Sequence, residues 1–341
     1  MRLSRKIILF LGAGASASFG YPTTKQFIDS LKTELAKTSE YQAQLLDYFL
    51  NLKGFADIEH VLELLDSLQS INKHPVTDLF RTYTSIINLR GQKINFNDFL
   101  NRAKSLRDKI QVDVFRQYEF NPDSRSKINE VYVSLFESLM KLNSGDLPVF
   151  TTNYDRVIEN FCINNDIDFT DGFRRIGNSD EAIWDATQYS EMEKRNDKKS
   201  IHLFKLHGSL NWRERKDGKI VRVSPEEMTK GSKRYKRNLV IYPAEKLKPE
   251  IEPFKALHEM FLERFTQSNI VIFIGFAFRD AYLNTLFRQA PKKVVITILP
   301  HASTFLKESG KSIGFKNPIP IDAALGEDNG TIAQKIQDLI R

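Results

Sequence analysis

A glycine-rich turn follows an apolar segment near the start of the chain, and this pattern suggests phosphate chemistry. The run Lys6–Leu11 is apolar after its first residue and leads into Gly12–Ser16. Buried parallel strands read as unbroken apolar runs, and a glycine-rich turn at a helix N-terminus presents N–H groups and a positive dipole end to a pyrophosphate. Gly12, Gly14 and Ala17 also fit the spacing G-x-G-x-x-G/A. The turn predicts a dinucleotide site; a tight turn without a ligand is the alternative.

Three later apolar runs also end in turns that carry polar residues or glycine. They are Leu147–Thr152 before Asn153-Tyr154-Asp155, Ile201–Leu206 before His207-Gly208-Ser209, and Ile270–Ile274 before Gly275-Phe276-Ala277-Phe278-Arg279-Asp280. Helical patterns alternate with these runs, and Val294–Leu299 adds another strand. Such alternation predicts an α/β fold with a Rossmann-like, doubly wound parallel sheet. In such sheets the ligand lies outside the carboxyl ends of the strands, where all four turns fall.

A long helical stretch separates the first strand-helix unit from the second. Asp57–Leu68 places apolar residues at helical spacing with acids opposite, and Ile128–Leu142 repeats this pattern. We therefore expect a Rossmann-like domain from residues 1–30 and 145–341, interrupted by a helical insertion at residues 31–144. Asp29 falls inside a helical pattern, so it does not supply the carboxylate that binds the ribose in typical dinucleotide folds.

The composition is that of a globular protein, with 341 residues of which 41% are hydrophobic and 27% charged. No apolar run approaches the roughly 18–20 residues of a transmembrane helix, so we expect a cytoplasmic protein without a membrane partner. The net charge of +7 is concentrated in residues 213–237, which carry ten basic and four acidic residues. We favour a solvated hairpin and loop, turning at Asp217-Gly218, over a docking site for protein, nucleic acid or phosphates.

One cysteine cannot form an intrachain disulfide or a four-cysteine zinc site. Cys162 lies in a helical pattern, Val157–Cys162, where a small apolar residue packs well. We therefore interpret it as core filler rather than as a nucleophile. No metal is expected.

The four turns, in their order along the chain, resemble the sirtuin superfamily of NAD-consuming domains. The carrying motifs are G-A-G-A-S at 12–16, T-T-N-Y-D at 151–155, L-H-G at 206–208 and G-F-A-F-R-D at 275–280. The similarity is greatest to the sirtuin-like NAD hydrolases of bacterial anti-phage defence. Three further segments also resemble sequences of that branch: Asp57–Glu59, Leu239–Pro243 and Glu252–His258. Deacylating sirtuins carry a zinc ribbon and a Phe-Arg loop after the first motif. This chain has neither, since its loop reads Phe19–Thr24.

The resemblance implies a role for each matching residue. Asn153 and His207 are the implied catalytic pair beside the nicotinamide ribose, and Asp155 faces the nicotinamide amide. The implied NAD-binding residues are Gly12, Ala13, Gly14, Ala15, Ser16, Thr152, Asp155, Gly208, Ser209, Gly275, Phe276 and Phe278. Taken alone, His207 is as consistent with a strand-end histidine bonded to backbone, and Asn153 with a helix N-cap. Asp280 is interpreted as an N-cap.

The implied activity is hydrolysis of NAD+ to nicotinamide and ADP-ribose, with NAD as substrate and without a metal. The implied role is that of an effector that depletes NAD in anti-phage defence. Alternatives are a non-catalytic NAD or ADP-ribose sensor, or an ADP-ribosyltransferase or deacylase using the same cleft. The resemblance further implies a homo-oligomer or a separately encoded activating partner, such as a hexameric ATPase or an Argonaute-like protein. Residues 213–237 and the helical insertion are the candidate docking surfaces.

Overall fold

The computed structural model describes residues 6–52, 58–71, 86–89, 92–118, 122–177, 179, 181–195, 199–224, 227, 235–240, 249–289, 293–326 and 331–340. These residues divide into two compact units: the first comprises residues 6–21 and the described residues from 122 to 340, and the second comprises residues 22–118. The sequence placed the insertion at 31–144. In the structure the second unit starts earlier, and helix Arg125–Leu142 belongs to the first unit, because helical periodicity does not show against which unit a helix packs.

A seven-stranded parallel sheet forms the centre of the first unit. Its strands are β1 (Ile7–Leu11), β4 (Asp146–Thr151), β5 (Asp168–Thr170), β8 (Ser200–Lys205), β12 (Ile270–Ile274), β13 (Val294–Leu299) and β14 (Ile319–Asp322). Their order across the sheet is β14-β13-β12-β1-β4-β8-β5. The chain proceeds from β1 to β4 on one side and from β12 to β13 on the other, so the topological switch point lies between β1 and β12. The predicted fold class is confirmed.

Burial explains why the strands read as apolar runs. All five residues of β1 and all five of β12 are buried, as expected for parallel strands covered on both faces. One face carries an aromatic cluster in which the ring of Phe10 lies 5.8 Å from that of Phe261, between ring centroids. Phe261 also packs edge-on against Phe150 of β4 at 4.9 Å. This apolar layer fixes the strands whose ends carry the polar turns.

The first unit also contains helices. The helices of the first unit are Gly14–Ala17, Arg125–Leu142, Val157–Asn164, Thr187–Glu193, Phe254–Gln267, Ala281–Phe287, Ala302–Ile313 and Thr331–Ile340, with a 3₁₀ turn at Pro122–Ser124. No helix within the described residues is long and apolar enough to cross a bilayer.

A second sheet of the first unit, with five strands, is absent from the sequence prediction. Its strands are β6 (Phe173–Arg175), β7 (Ala182–Trp184), β9 (Gly208–Arg215), β10 (Ile220–Arg222) and β11 (Tyr235–Val240), in the order β11-β9-β10-β7-β6. The hairpin at Asp217-Gly218 is confirmed, with Val221 opposite Arg213. Val240 pairs with Gly208, so the segment Leu239–Pro243 begins in this antiparallel sheet. Residues 241–243 lie outside the described residues.

The second unit is mainly helical. Its helices are Thr24–Thr38, Glu40–Leu50, Ile58–Ile71 and Phe96–Tyr118, and a hairpin pairs β2 (Ile86–Leu89) with β3 (Gln92–Asn95). Thr23 and Gln26 form a capping box that starts the first of these helices. The hairpin was not expected, since no buried strand was predicted in this stretch. Asp57 lies outside the described residues.

Cys162 is fully buried in helix Val157–Asn164. Burial raises the pKa of its thiol far above the usual range, and the neighbouring Glu159 carboxylate raises it further. A thiol is a nucleophile only as the thiolate. The residue therefore packs the core, as the sequence suggested. Among the described residues, no group of histidine, cysteine, aspartate and glutamate side chains could hold a metal ion.

Candidate functional site

Parallel pairing brings the four turns to one edge of the sheet. The turns follow β1, β4, β8 and β12, which are four consecutive strands across the sheet. Hydrogen bonds join neighbouring turns, among them Gly14 N–H to Gly275 O at 2.9 Å, Leu206 N–H to Thr151 O at 2.9 Å, and Ser209 Oγ to Tyr154 O at 3.3 Å. This strand order agrees with the sequence prediction that the four segments meet at the carboxyl ends of the strands.

The glycines of the first and fourth turns pack backbone to backbone at the switch point. A Cβ atom on Gly12 would lie 2.6 Å from Gly275 O, and a Cβ atom on Gly275 would overlap the backbone of Gly14 and Ala15. Gly275 also has a φ of +64°, a conformation that L side chains rarely adopt. The glycines are therefore required for close approach of the two turns, whether or not a ligand binds.

The N–H groups of the first turn donate within the protein. Gly12 N–H donates to Ile274 O and Gly14 N–H donates to Gly275 O, each at 2.9 Å. Ala15 N–H and Ser16 N–H donate to the carbonyls of Gly12 and Ala13. The residues from Gly12 to Ser16 stay predicted pyrophosphate contacts. Four of their five N–H groups, however, already have protein acceptors.

Asn153 links the second turn to the first. Its side-chain Nδ2 donates to Gly12 O at 2.9 Å and to Ser16 Oγ at 3.1 Å, and its backbone N–H donates to Thr151 Oγ1 at 3.0 Å. The amide hydrogens are thus occupied by the protein. The oxygen Oδ1 is the part of this side chain that can accept a hydrogen bond from a ligand hydroxyl or a water. Thr152 continues the link, because its N–H donates to Leu11 O.

Asp155 is buried and supports the turn from within. Its Oδ1 accepts from Val157 N–H at 3.0 Å, at the start of helix Val157–Asn164, and the Ser16 hydroxyl also hydrogen-bonds its carboxylate. Burial raises the pKa of Asp155, and the Lys205 ammonium only partly opposes this. The sequence assigned this carboxylate to the nicotinamide amide; the structure gives it protein partners and 5% exposure.

Lys205 and Glu159 form a buried ion pair beneath the second turn. Lys205 Nζ lies 2.9 Å from Glu159 Oε1 and also donates to Asp155 O. Both residues are almost fully buried. Sequence reasoning missed this pair. The available signal was a lysine between the apolar residues Phe204 and Leu206, since lysine is almost never fully buried unless it is paired.

His207 and Asp280 join the third turn to the fourth. His207 Nε2 lies 2.9 Å from Asp280 Oδ2, and both side chains are buried. Asp280 Oδ1 accepts from Leu283 N–H at 2.8 Å, so the predicted N-cap is confirmed. Its contact with His207 was missed. Burial by itself raises the pKa of Asp280, but the hydrogen bond and charge of His207 and the Leu283 N–H outweigh this and hold the pKa below its usual value.

The remaining residues of the third turn are held close to the second. Gly208 has a φ of +87°, which allows the sharp reversal between His207 and β9. Ser209 is fully buried. The ring of Tyr154 lies 6.4 Å from that of His207, between centroids. Asn153 and His207 are therefore carried by turns that contact each other directly.

The side chains of Phe276 and Phe278 face the core. Phe276 packs 4.6 Å from Phe10, and Phe278 packs 4.8 Å from Phe273, between ring centroids. Phe278 also has a φ of +53°, which is uncommon for a bulky residue, and Asn284 Nδ2 donates to its carbonyl. The sequence assigned both phenylalanines to the adenosine half of NAD. Any contact of these two residues with a ligand would be made by their backbone.

Comparison with known proteins relates part of the chain to a family. Residues 148–296, somewhat under half of the chain, match the SIR2-like domain. This stretch includes Asn153, His207 and Asp280 and excludes the first glycine-rich turn. A search among curated proteins found no match.

Solved structures of Sir2 enzymes resemble the chain over almost its whole length. A mutant Sir2 homologue in complex with ADP-ribose covers 98% of this chain and 92% of its own, with 11% identity and a TM-score of 0.45. A structure described as the structural basis for the mechanism and regulation of Sir2 enzymes covers 99% of this chain and 94% of its own, with 13% identity and a TM-score of 0.42. The structure of Sir2Tm bound to a propionylated peptide covers 98% of this chain and 93% of its own, with 11% identity and a TM-score of 0.40.

Proposed function

We propose that this chain is an NAD+ glycohydrolase that cleaves the nicotinamide–ribose bond to give nicotinamide and ADP-ribose. The observation that carries the proposal lies within the SIR2-like region, where the turns that carry Asn153 and His207 lie next to each other. Asn153 and His207 stand at the carboxyl ends of the adjacent strands β4 and β8, and Asp280 bonds to the histidine. An amide and an oriented imidazole at one sheet edge are the groups that this hydrolysis needs.

The chemistry requires few protein groups because the leaving group is cationic in the substrate. The C1′–N1 bond breaks with its electron pair going to the pyridinium nitrogen, so nicotinamide departs neutral without the general acid that ordinary glycosides need. Water then forms the new C1′–O bond and loses a proton. The protein has to orient the ribose, stabilise an oxocarbenium-like transition state and admit one water.

The Asp280 contact decides which nitrogen of His207 accepts a proton. Because the pKa of Asp280 lies below its usual value, the carboxylate is ionised at neutral pH. A neutral His207 therefore carries its hydrogen on Nε2, where it donates to Asp280 Oδ2, and leaves Nδ1 unprotonated. We assign the acceptance of the water proton to Nδ1. The Oδ1 atom of Asn153 orients the water or a ribose hydroxyl.

The test is nicotinamide release from NAD by the purified chain, His207→Ala and Asn153→Ala. We expect both variants to lose activity by roughly a hundredfold or more, the order of a general base or a positioned hydrogen bond. Matched controls are His301→Ala, an exposed histidine, and Asn164→Ala at the end of helix Val157–Asn164. Equal release from all five proteins, above the background measured without protein, would remove both residues from the mechanism.

The same reaction run with NAD labelled in its ADP-ribose part, together with a binding measurement, separates the alternative functions. A non-catalytic sensor of NAD or ADP-ribose binds its ligand without turnover. An ADP-ribosyltransferase leaves labelled ADP-ribose on protein or nucleic acid rather than free in solution. A deacylase consumes NAD only when an acylated peptide is supplied.

We also propose that the hydrolase depletes NAD in anti-phage defence and is held silent until triggered. The support is the resemblance of the sequence motifs to those of the anti-phage branch. Control would come from homo-oligomerisation or from an activating hexameric ATPase or Argonaute-like protein. The proposed docking surfaces are residues 213–237 and the helical insertion. Within the first of these, residues 225–226 and 228–234 lie outside the described residues. NAD measured in infected cells carrying the wild type or His207→Ala tests the role.

A further inference from the structure

A cavity of about 190 Å³ lies between helix Val157–Asn164 and the five-stranded sheet. None of the predicted catalytic or NAD-binding residues lines it. Its wall includes Arg156, Arg175, Arg222 and Glu159 on the polar side, and Ile163 and Phe169 on the apolar side. It is thus a separate recess with its own set of charged groups.

The charges around the cavity leave two arginines in excess. Arg222 is paired with Asp171, and Glu159 is paired with Lys205. Within the described residues, the buried Nε of Arg156 has no hydrogen-bond acceptor, and Arg175 is exposed at the cavity wall. Guanidinium groups bind carboxylate and phosphate oxygens through paired N–H donors. The excess positive charge therefore favours an anion.

Asn211 supplies a second, independent indication of a ligand. It is only 2% exposed and lines the cavity, and among the described residues its Oδ1 has no hydrogen-bond donor. A buried acceptor left without a donor costs about 1–3 kcal/mol, so such groups are nearly always satisfied. An anion alone would not satisfy Oδ1. The occupant must also carry an O–H or N–H group.

The volume limits the size of that occupant. The cavity could hold about six water molecules, each of which occupies about 30 Å³ in the liquid. It is smaller than the pockets of about 300–1,000 Å³ that typically bind drug-sized ligands. We propose that this cavity binds a small anion that also carries a hydroxyl group, a hydroxycarboxylate or a phosphate. The arginines hold the anionic oxygens, and Asn211 accepts from the hydroxyl.

Calorimetric titration of the full chain with three probes tests the assignment. Glycolate and inorganic phosphate carry both an anionic group and an O–H, whereas acetate lacks the O–H. We expect saturable one-site binding of glycolate, phosphate or both, and weaker binding of acetate than of glycolate. Because charge-assisted hydrogen bonds are the strong ones, Arg156→Gln and Arg175→Gln should each weaken binding about tenfold.

Arg174→Gln is the matched control. Arg174 is the neighbour of Arg175 in β6, carries the same charge and pairs with Asp185 instead of lining the cavity. It should leave the affinity unchanged within about twofold, since an exposed ion pair contributes little. Arg175 is exposed, so its variant is expected to fold. The proposal is overturned if neither glycolate nor phosphate saturates, if Arg174→Gln and Arg175→Gln weaken binding equally, or if excess ADP-ribose displaces the anion.

Discussion

The Nε2 atom of His207 and the Oδ2 atom of Asp280 lie 2.9 Å apart, although the two residues are 73 positions apart in the chain. One stands after β8 and the other after β12, which are separated in the sheet by β1 and β4. The same carboxylate caps helix Ala281–Phe287 through its other oxygen. Asp280 therefore couples the orientation of the imidazole to the start of a helix.

Asp280→Asn should reduce NAD hydrolysis while leaving the helix cap in place. Asparagine is as good an N-cap as aspartate, so Leu283 N–H keeps an acceptor. The ionised carboxylate that fixes the imidazole tautomer is lost, and we expect the turnover number to fall by roughly a hundredfold or more, as for other carboxylate–histidine pairs. The measurements are kcat, KM and the pH profile of nicotinamide release. A purely structural role would leave both kcat and the pH profile of the folded fraction unchanged.

The same variant tests how the carboxylate contributes to stability. The pKa of Asp280 is lower in the folded chain than its usual value, so its stabilisation is complete above the unfolded pKa of about 3.9 and is lost as the pH falls through the folded value. We expect Asp280→Asn to lower the free energy of unfolding by about 1–3 kcal/mol at pH 7. The difference should shrink as the pH falls below about 4. Urea unfolding at several pH values measures it, and a difference independent of pH would contradict the ionic origin.

The sequence predicted the parallel sheet because burial on both faces leaves a simple pattern. Runs such as Ile7–Leu11 and Ile270–Ile274 have no polar residue to obscure them. The five-stranded sheet could not be found in the same way. Strands β6, β7 and β10 have only three residues each, and each mixes buried positions with half-buried or exposed ones. They are too short for a period of two to be recognised.

The site was predictable as far as topology determines it. Turns after neighbouring parallel strands must meet at one edge, so Gly12, Asn153 and His207 could be grouped from the sequence. Pairings across the edge could not, because they depend on side-chain direction. Asp280 was explained by its N-cap role alone, and nothing in the sequence showed that its second oxygen faces His207.

Gly275→Ala should destabilise the chain far more than Gly218→Ala. Both glycines have a positive φ, +64° and +81°, so both variants incur the cost of about 1–2 kcal/mol for an L side chain in that region. A Cβ atom at position 218 meets nothing within 4 Å, whereas one at position 275 overlaps the backbone of Ala15. We expect a further loss of about 1–3 kcal/mol or more at position 275. Chemical denaturation measures both, and equal losses would contradict the close approach of the turns.

Lys205→Met should be strongly destabilising because it leaves Glu159 buried without its partner. Removing one member of a buried ion pair costs about 3–5 kcal/mol. The double variant Lys205→Met, Glu159→Gln should recover part of this loss, since the buried Glu159 carboxylate that Lys205 neutralised is removed as well. The pair Lys32–Asp47 is the exposed counterpart, with side chains 41% and 38% exposed, and Lys32→Met should change the free energy of unfolding by less than about 1 kcal/mol. Similar losses for the two lysine variants would show that the buried pair is dispensable.

Cys162 should resist thiol reagents in the folded chain. Its side chain is fully buried and its pKa is raised, so neither the thiolate nor access for the reagent is available. We expect iodoacetamide at pH 8 to leave the native chain unmodified and to label it fully in denaturant, with labelling followed by intact mass. Nicotinamide release should be the same before and after treatment. Rapid labelling of the native chain together with loss of activity would instead place this thiol at a reactive site and contradict its role as core filler.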